Sequence, residues 1–476
     1  MSRKESTDSA QPPQAPGAGM ELAPEPEASG VMTPLLTGSA AVALVWVAGT
    51  GLQYGSQVLF ARWMGAADYG NYVYAIALGQ ILAIVSGLGL PMAVMRFVPG
   101  YVTRHDWSGL RGIVRRSRQL TVAASIALAA LLTIVLSIIR PGSLDVIVLL
   151  LGTWLVPAAA LSNLESEISH SLNRVALAYL FPVLADPLLC VGFALALKGM
   201  RGHLSATLLM IARYFSLSVT LVLQFAVSQI VLPAAARGSK PRFETVLWLR
   251  ASLPLLLVTG CYVVLSRADL LTLGLFRPPG EAGLYSAAAR TAGLGSLVLG
   301  VVNARGGPIL SEAWSRGDLT RFDLLARTIA AVAVWPSLLV ALVLWAGGGR
   351  ILATFGPGFS AGYSALAILV VGNLVNSAAG PVTTIAIITG REDAAAKIFA
   401  WATLVDLALC ILLVPRLGSV GAAIATVASM CLWNLWLNRL ISRDLGIRLS
   451  EGLTDRRILK AASLLFRPTS SWKPAE

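Results

Sequence analysis

Six ionisable side chains stand inside long apolar stretches of the sequence, where charged groups are rare. They are Asp186, Arg213, Arg267, Asp269, Arg290 and Asp406. A charge near the centre of a membrane-spanning helix costs about 2.5–3.5 kcal/mol on insertion scales, so such groups usually face a cavity or an opposite charge. The six residues therefore predict a polar region inside a helical membrane protein.

The spacing of these charges predicts which of them share a depth in the membrane. Asp269 and Arg290 lie at nearly equal distances on either side of a turn near residue 279. At a rise of about 1.5 Å per residue, both lie about 15 Å from that turn, with Arg267 slightly deeper. Asp186 and Arg213 flank the turn near residue 201 in the same way. We expect either a cluster that serves a substrate or structural pairing, as an Asp269–Arg290 bridge and an Arg213–Asp186 pair.

Apolar helices must hold these charges. The chain is 56% hydrophobic and only 13% charged, with a mean hydropathy of +0.73, whereas a soluble domain carries about 25% charged residues. Stretches of about 20 apolar residues, each long enough to span a bilayer, recur along the sequence. The predicted spans are roughly 38–60, 70–95, 119–139, 144–167, 175–197, 205–233, 251–275, 284–304, 327–346, 362–389, 396–414 and 419–438. An all-α polytopic membrane protein with about twelve transmembrane helices is the prediction.

Lys and Arg concentrate in alternate connections and in the C-terminal region. Since cytoplasmic loops carry the excess of positive charge, this pattern predicts that the N- and C-termini are both cytoplasmic. The net charge of +13 therefore reflects membrane orientation, and we expect no nucleic-acid partner. Residues 1–36 are rich in Pro, Ala, Gly and Glu, which predicts a disordered cytoplasmic tail. Residues 441–476 are expected to form a basic cytoplasmic tail.

A weak internal repeat divides the chain. A shift of 213 residues aligns "LFARWMGAADYGNYVYA" (59–75) with "LFRPPGEAGLYSAAA" (275–289), so that Gly70 and Tyr72 fall on Gly283 and Tyr285. We predict two six-helix bundles, 37–233 and 251–440, joined by a cytoplasmic linker at 234–250. Because six is even, the bundles would be related by a pseudo-twofold axis along the membrane normal. Trp63, Tyr69 and Tyr72 of the first copy are expected at the membrane interface.

Other residue patterns exclude several classes of function. The four cysteines and three histidines have no metal-ligand spacing, so no metal or other cofactor is expected. The sequence has no G-x-x-x-x-G-K-[ST] phosphate loop for ATP hydrolysis. Every predicted connection is too short for a soluble catalytic domain. We therefore expect a protein that is not an enzyme.

Three stretches carry a resemblance to a known family. "R-x-x-G-x-x-x-Y-G-x-Y" (62–72) followed by "GLGLPMAVMRFVPGY" (87–101), the hairpin from Ser266 to Arg290, and "LGSVGAAIATVAS" (417–429) resemble bacterial polysaccharide flippases. These are O-antigen and exopolysaccharide exporters of the Wzx type, within the multidrug/oligosaccharidyl-lipid/polysaccharide (MOP) exporter superfamily. The resemblance covers roughly residues 38–446. It implies a MOP flippase-like fold in the bacterial inner membrane.

The resemblance also implies a substrate. This would be an undecaprenyl-pyrophosphate-linked oligosaccharide, an O-antigen or exopolysaccharide repeat unit, moved from the cytoplasmic to the periplasmic leaflet by alternating access. Membrane lipids and the lipid-linked oligosaccharide would be the partners, with polysaccharide polymerase or chain-length proteins as further candidates. The alternatives are a MOP drug or cation exporter, for which acidic groups should dominate the cavity, and a membrane polymerase or ligase of polysaccharide assembly. A scaffold without transport is disfavoured by the buried charges.

In this interpretation, the candidate residues take distinct roles. Arg267 and Arg290 would bind the pyrophosphate, because planar guanidinium groups bind phosphate oxygens in a fork. Gln53 and Gln57 lie one helical turn apart and would meet sugar hydroxyls or hydrogen-bond a neighbouring helix. The candidates for coupling to H⁺ or Na⁺, or for gating, are Asp269, Asp406, Asp186 and Arg213. The alternative is that these residues only form structural pairs.

Overall fold

The computed structural model describes residues 47–139, 144–447 and 449. The predicted tail at 1–36 lies outside these residues, as do most of 441–476 and the start of the first predicted span. Over the described part of the chain the secondary structure is helical, without strands. These residues belong to one compact unit.

Eighteen α-helices follow one another along the described residues. The helices are α1 (47–64), α2 (Ala66–Ser86), α3 (Leu90–Thr103), α4 (Trp107–Ile139), α5 (Val146–Trp154), α6 (Val156–Ser171), α7 (Val175–Tyr179), α8 (Asp186–Arg201), α9 (Ala206–Val231), α10 (Ala234–Gly238), α11 (Thr245–Leu265), α12 (Ala268–Phe276), α13 (Pro279–Ser315), α14 (Leu319–Ala353), α15 (Tyr363–Ala379), α16 (Val382–Ile388), α17 (Glu392–Leu417) and α18 (Ser419–Leu445). A π-helical turn at Leu180–Ala185 joins α7 to α8, and a 3₁₀ turn at Phe359–Gly362 precedes α15.

The transmembrane prediction is confirmed in its main features. Ten single stretches in the described residues are long and apolar enough to span a membrane, and a bent pair raises the number to eleven. This pair, Thr259–Leu265 and Ala268–Phe276, is bent by 49° and corresponds to the predicted span 251–275. The predicted span 38–60 falls partly outside the described residues. The all-α polytopic fold is thus established, while the twelve-span, two-bundle arrangement stays a prediction.

The buried hydrophobic residues of the described chain form one shared core and three smaller clusters, the smallest of which contains Ala83, Val156 and Ala160. The shared core includes Phe60 and Tyr72 from before the linker and Tyr285 and Phe359 from after it. Away from the shared core, the described residues form two further separate hydrophobic clusters, one around α3 and α4 and the other around the C-terminal end of α13. One contains Val94, Leu110 and Trp248, and the other contains Leu310, Phe322 and Ile441. The two predicted halves therefore share a core at one end and have separate cores at the other. At that second end they still touch, because α11 packs against α3 and the Ser252 hydroxyl donates to the carbonyl of Leu88 at 2.9 Å.

Two glycines, Gly70 and Gly283, bring the backbones of the two halves into contact at the end where the halves share a core, called the shared end below. A Cβ atom at Gly70 would lie 1.7 Å from the carbonyl oxygen of Pro279, and one at Gly283 would lie 2.3 Å from that of Ala66. Under the 213-residue shift, Ala66 corresponds to Pro279 and Gly70 to Gly283. The contact is thus reciprocal, which is how a twofold relation places matching residues on its axis.

The linker at 234–250 is fastened to the corner between α3 and α4. The backbone N–H of Arg242 donates to the carbonyl of Ser108 at 2.9 Å, and its guanidinium forms ion pairs with Asp106 and Glu244. Glu244 also accepts from the Tyr101 hydroxyl at 3.0 Å. These contacts tie the linker to the first half of the chain.

Candidate functional site

The break between α11 and α12 places Arg267 at an irregular position in the backbone. Helix α11 ends at Leu265, and Arg267 has φ −136° and ψ −9° before α12 begins. The hydroxyl of Ser266 donates to the carbonyl of Tyr262 at 2.8 Å, a local bond that competes with regular helix geometry. The break turns this short segment toward the interior of the protein.

Arg267 lines a cavity of about 520 Å³ between the two halves. Its walls come from α2, α5, α6, the π-helical turn, α8 and α9 on one side and from the end of α11 on the other. The volume lies within the range of small-molecule sites, about 300–1,000 Å³. The polar lining residues are Gln80, Ser162, Asn163, Asp186, Arg213, Tyr262, Ser266 and Arg267. The remaining wall is apolar, with small residues such as Gly79 and Gly152.

The charges of the cavity are unevenly balanced. Arg213 forms an ion pair with Asp186, which is the pairing expected from their positions on either side of the turn near residue 201. Arg267 forms no ion pair with any residue that the structure describes. Among the charged lining residues, Arg267 is therefore the one without an ion pair, and the buried Asp269, two residues further on, acts on it only electrostatically. The lining thus carries a net positive charge that can attract an anionic ligand.

Asp269 and Asp406 lie apart from the lining, in a buried cluster of the second half. Asp269 accepts hydrogen bonds from the hydroxyls of Tyr285 and Thr426 and from the backbone N–H of Leu270. Asp406 on α17 accepts one from the hydroxyl of Ser429 at 3.0 Å. Its Oδ2 is buried and has no partner among the described residues. Helix α12 packs against α17 and α18, so both carboxyl groups belong to one helix packing layer.

Arg290 does not form the expected ion pair with Asp269. No ion pair joins Asp269 to Arg290 in the part of the chain that is described, so that structural alternative is absent there. The Arg290 guanidinium lies beside the Tyr69 hydroxyl, and its Nε is buried without an acceptor in the described residues. The same Tyr69 hydroxyl donates to Gln57 Oε1 at 3.1 Å. Arg290 and Gln57 are thus brought together near the shared end, outside the cavity lining.

The remaining predicted residue and the aromatic side chains of the first repeat copy also differ in environment. Gln53 is exposed, and its carbonyl accepts from the Ser56 hydroxyl at 2.8 Å. It is not among the residues that line the cavity. Tyr69 and Tyr72 are 0% and 4% exposed, so the expectation that they lie at the membrane interface was wrong for both. They pack where α1, α2 and α13 meet, because the reciprocal contact of the two halves covers them.

Five neutral polar lining residues were missed from the sequence: Gln80, Ser162, Asn163, Tyr262 and Ser266. Each is a polar residue within an apolar stretch, and this position is the feature of the sequence that could have indicated a cavity residue. Neutral polar groups in membrane helices frequently hydrogen-bond neighbouring helices. Residue type alone therefore did not separate these five from structural residues.

Comparison with known proteins gives the family. The model of the polysaccharide biosynthesis protein family matches residues 35–314, more than half of the chain. A search of curated protein sequences finds no match.

Several solved structures share the fold at low sequence identity. An inward-facing multidrug-resistance MATE transporter of the MOP superfamily has a TM-score of 0.68 at 15% identity, over 85% of this chain and 99% of that chain. The lipid II flippase MurJ, in an inward closed conformation, has a TM-score of 0.65 at 15% identity, over 89% and 91%. A MOP superfamily transporter from Pyrococcus furiosus, whose binding pocket is described as having reverse polarity, has 0.58 at 13%, over 90% and 96%. The chain belongs to the polysaccharide biosynthesis protein family and has the fold of MOP superfamily transporters.

Proposed function

We propose that the protein flips an undecaprenyl-pyrophosphate-linked oligosaccharide from the cytoplasmic to the periplasmic leaflet of the bacterial inner membrane. The observation that carries the proposal is the cavity between the halves, whose lining includes Arg267, a cation without an ion pair among the described residues. A pyrophosphate supplies the negative charge that the cavity lacks, and guanidinium groups bind phosphate oxygens in a fork. The neutral polar residues around it supply partners for sugar hydroxyls, and the undecaprenyl chain stays in lipid.

We infer alternating access from the difference between the two ends of the molecule. The halves are held together at Gly70 and Gly283 and have separate cores at the other end. If both termini are cytoplasmic, as the distribution of Lys and Arg predicts, this arrangement would correspond to an inward-facing state. Separation at the glycine contact and closure at the other end would open the cavity to the periplasm. This movement would also expose Arg290 beside Tyr69, so the pyrophosphate could pass from Arg267 to Arg290 on its way outward.

Energy coupling is assigned in this proposal to Asp269 and Asp406. Both are buried carboxyl groups that form no ion pair among the described residues, and neither lines the cavity. Such groups within membrane helices mark ion or proton pathways. Binding of H⁺ or Na⁺ there would bias the packing of α12 against α17, next to the break that carries Arg267.

Asp406→Asn should abolish the acceleration of transport by an imposed H⁺ or Na⁺ gradient. The asparagine cannot titrate and binds cations more weakly, whereas the substrate cavity is unchanged. We expect gradient-driven transport to fall to the rate without a gradient, measured in proteoliposomes, while lipid binding stays at the wild-type level. Asp393→Asn, at the exposed start of the same helix, serves as the matched control. Full gradient stimulation in Asp406→Asn would remove Asp406 from the coupling site.

Leaflet exchange tests the function itself. The full-length protein is reconstituted in liposomes with fluorescent undecaprenyl-pyrophosphoryl oligosaccharide, and a membrane-impermeant quencher reports the outer leaflet. We expect exchange that depends on the protein and retains the intact lipid. Absence of exchange would contradict the proposal. Joined or cleaved oligosaccharide would indicate a polymerase or ligase, and export of a cationic dye in its place would indicate a drug exporter.

A further inference from the structure

A second arginine, Arg213, faces the cavity from the opposite half to Arg267. It lies on α9 and contacts Asp186, the first residue of α8, through its NH1 atom and the carboxylate Oδ2. Both residues line the cavity. The Arg213 side chain is 25% exposed, whereas that of Asp186 is 5% exposed. Of this pair, the Arg213 side chain is therefore the more open to the cavity.

The position of Asp186 is fixed by irregular helix geometry and by a hydroxyl. The π-helical turn Leu180–Ala185 ends directly before it, and Pro187 follows it. Segments of this kind occur frequently at functional sites. The Ser216 hydroxyl contacts Asp186 at both its carbonyl oxygen and its carboxylate. Ser216 follows Arg213 by three residues, so both side chains lie on the face of α9 that meets α8. Asp186 is thereby held by Ser216 as well as by Arg213.

Another buried ion pair in the same half, Arg118–Glu165, contains an arginine with several protein partners. Arg118 binds both carboxylate oxygens of Glu165, at 2.6 and 2.7 Å, and also donates to Ser228 at 2.8 Å. Its guanidinium further stacks over the ring of Phe225. This pair does not line the cavity. In contrast, Arg213 gives one hydrogen bond to the Asp186 carboxylate, which leaves part of its donor fork for another acceptor.

We propose that Arg213 is a second pyrophosphate-binding residue and that Asp186 is a built-in competitor for it. In the empty cavity, Asp186 holds Arg213. When the lipid-linked substrate enters, its pyrophosphate takes up the free donors of Arg213 and also binds Arg267. Since Arg213 belongs to the first half and Arg267 to the second, the bound pyrophosphate bridges the halves. Asp186 returns to Arg213 as the substrate leaves, which favours release. The inference rests on the proposed function and deepens it.

Binding measurements on the full-length protein in nanodiscs test this assignment, with undecaprenyl-pyrophosphoryl oligosaccharide as the ligand. Arg213→Gln should weaken binding about tenfold, as expected for loss of a hydrogen bond to a charged group. Asp186→Asn should tighten it about two- to fivefold, the range that a partly exposed ion pair contributes. Glu165→Gln is the matched control. It removes the counter-ion of a buried arginine away from the cavity, so it should lower thermal stability without tightening binding.

The conservative variant Arg213→Lys separates binding from folding. Lysine keeps the charge and the ion pair with Asp186 but lacks the planar fork. We expect a folded protein that binds the lipid several-fold more weakly than wild type. Inorganic pyrophosphate should compete with the lipid in wild type and compete less well in Arg213→Gln, because the shared recognised group is the pyrophosphate.

The outcomes distinguish this inference from the function on which it rests. Wild-type binding together with unchanged affinity in Arg213→Gln and Arg213→Lys would overturn the role of Arg213 and leave the flippase proposal intact. Unchanged or weaker binding in Asp186→Asn would overturn the role of Asp186 as a competitor. Failure of inorganic pyrophosphate to compete would place recognition elsewhere on the lipid and overturn the inference. Absence of any lipid binding to wild type would contradict the flippase proposal itself.

Discussion

Arg267→Gln is expected to reduce leaflet exchange of the lipid-linked oligosaccharide by about 10- to 100-fold, since a hydrogen bond to a charged group contributes ~1.5–3 kcal/mol and each ~1.4 kcal/mol is tenfold. Glutamine keeps much of the length and the hydrogen-bonding ability of arginine but carries no charge. Arg267 has no ion-pair partner among the described residues, so its loss leaves no carboxylate unpaired there. The amount of folded protein in the membrane should therefore stay near the wild-type level.

Two further variants make this prediction specific. Arg267→Lys retains the charge without the fork, and we expect exchange between those of wild type and Arg267→Gln. Arg350→Gln removes an exposed arginine near the end of α14, away from the cavity, and should exchange lipid at the wild-type rate. Normal exchange by Arg267→Gln at normal abundance would show that the cavity does not recognise the substrate through this residue. Loss of the protein from the membrane would instead make Arg267 a structural residue.

Gly70→Ala should halt transport by preventing closure at the shared end. The added Cβ would lie 1.7 Å from the carbonyl oxygen of Pro279, and a backbone atom cannot move away by changing rotamer. Helix α2 must therefore separate from α13. Overpacking costs about 1–3 kcal/mol, enough to shift a two-state equilibrium by about 5- to 150-fold, because each 1.4 kcal/mol is tenfold. We expect Gly283→Ala to act in the same way, because its contact with Ala66 is the reciprocal one.

Distance measurements between spin labels check this prediction. Labels at Ala67 on α2 and Glu281 on α13 should be close together in the unsubstituted background and further apart in Gly70→Ala. Gly293→Ala is the matched control, since it lies on the same helix α13 and its Cβ would meet nothing within 4 Å. An unchanged label distance with normal leaflet exchange in Gly70→Ala would mean that the contact does not act as a gate.

The positions of the helices follow from the sequence because bilayer thickness imposes a length on apolar stretches. The predicted spans 205–233 and 419–438 correspond to α9 and α18 within a few residues at most ends. The break in α11–α12 was not predicted, because the stretch from Val263 to Leu270 contains neither Pro nor Gly. The break is accompanied by a hydrogen bond from the Ser266 hydroxyl to the preceding helical turn, and a serine does not mark a helix break in a sequence as Pro or Gly does.

Depth along a helix predicted one pairing of charges and failed to predict another. Asp186 and Arg213 lie fifteen and twelve residues from the turn near residue 201, and they face one another. Asp269 and Arg290 also lie at comparable distances from their turn, but Asp269 faces Tyr285 and Thr426. Equal depth does not fix the rotation of a helix about its axis. The 49° bend before α12 sets that rotation for Asp269, so the candidate residues could be listed from the sequence while their neighbours could not.

The two copies of the repeat form the contact between the halves at the shared end. In the sequence, Gly70 and Gly283 are two aligned glycines in a pair of stretches with few identities. In the structure they touch, and the tyrosines beside them are buried. Contacts between segments 213 residues apart are invisible to local periodicity, which explains why Tyr69 and Tyr72 were expected at the membrane interface.

The most direct test of the account compares the leaflet exchange of two fluorescent lipids in the same proteoliposomes. One is undecaprenyl-pyrophosphoryl oligosaccharide, and the other carries the same glycan on undecaprenol through an uncharged linkage. If the cavity recognises its substrate through the pyrophosphate, the protein should exchange the first lipid at least about tenfold faster than the second, and Arg267→Gln should remove the difference. Equal rates for both lipids in wild type would contradict the account.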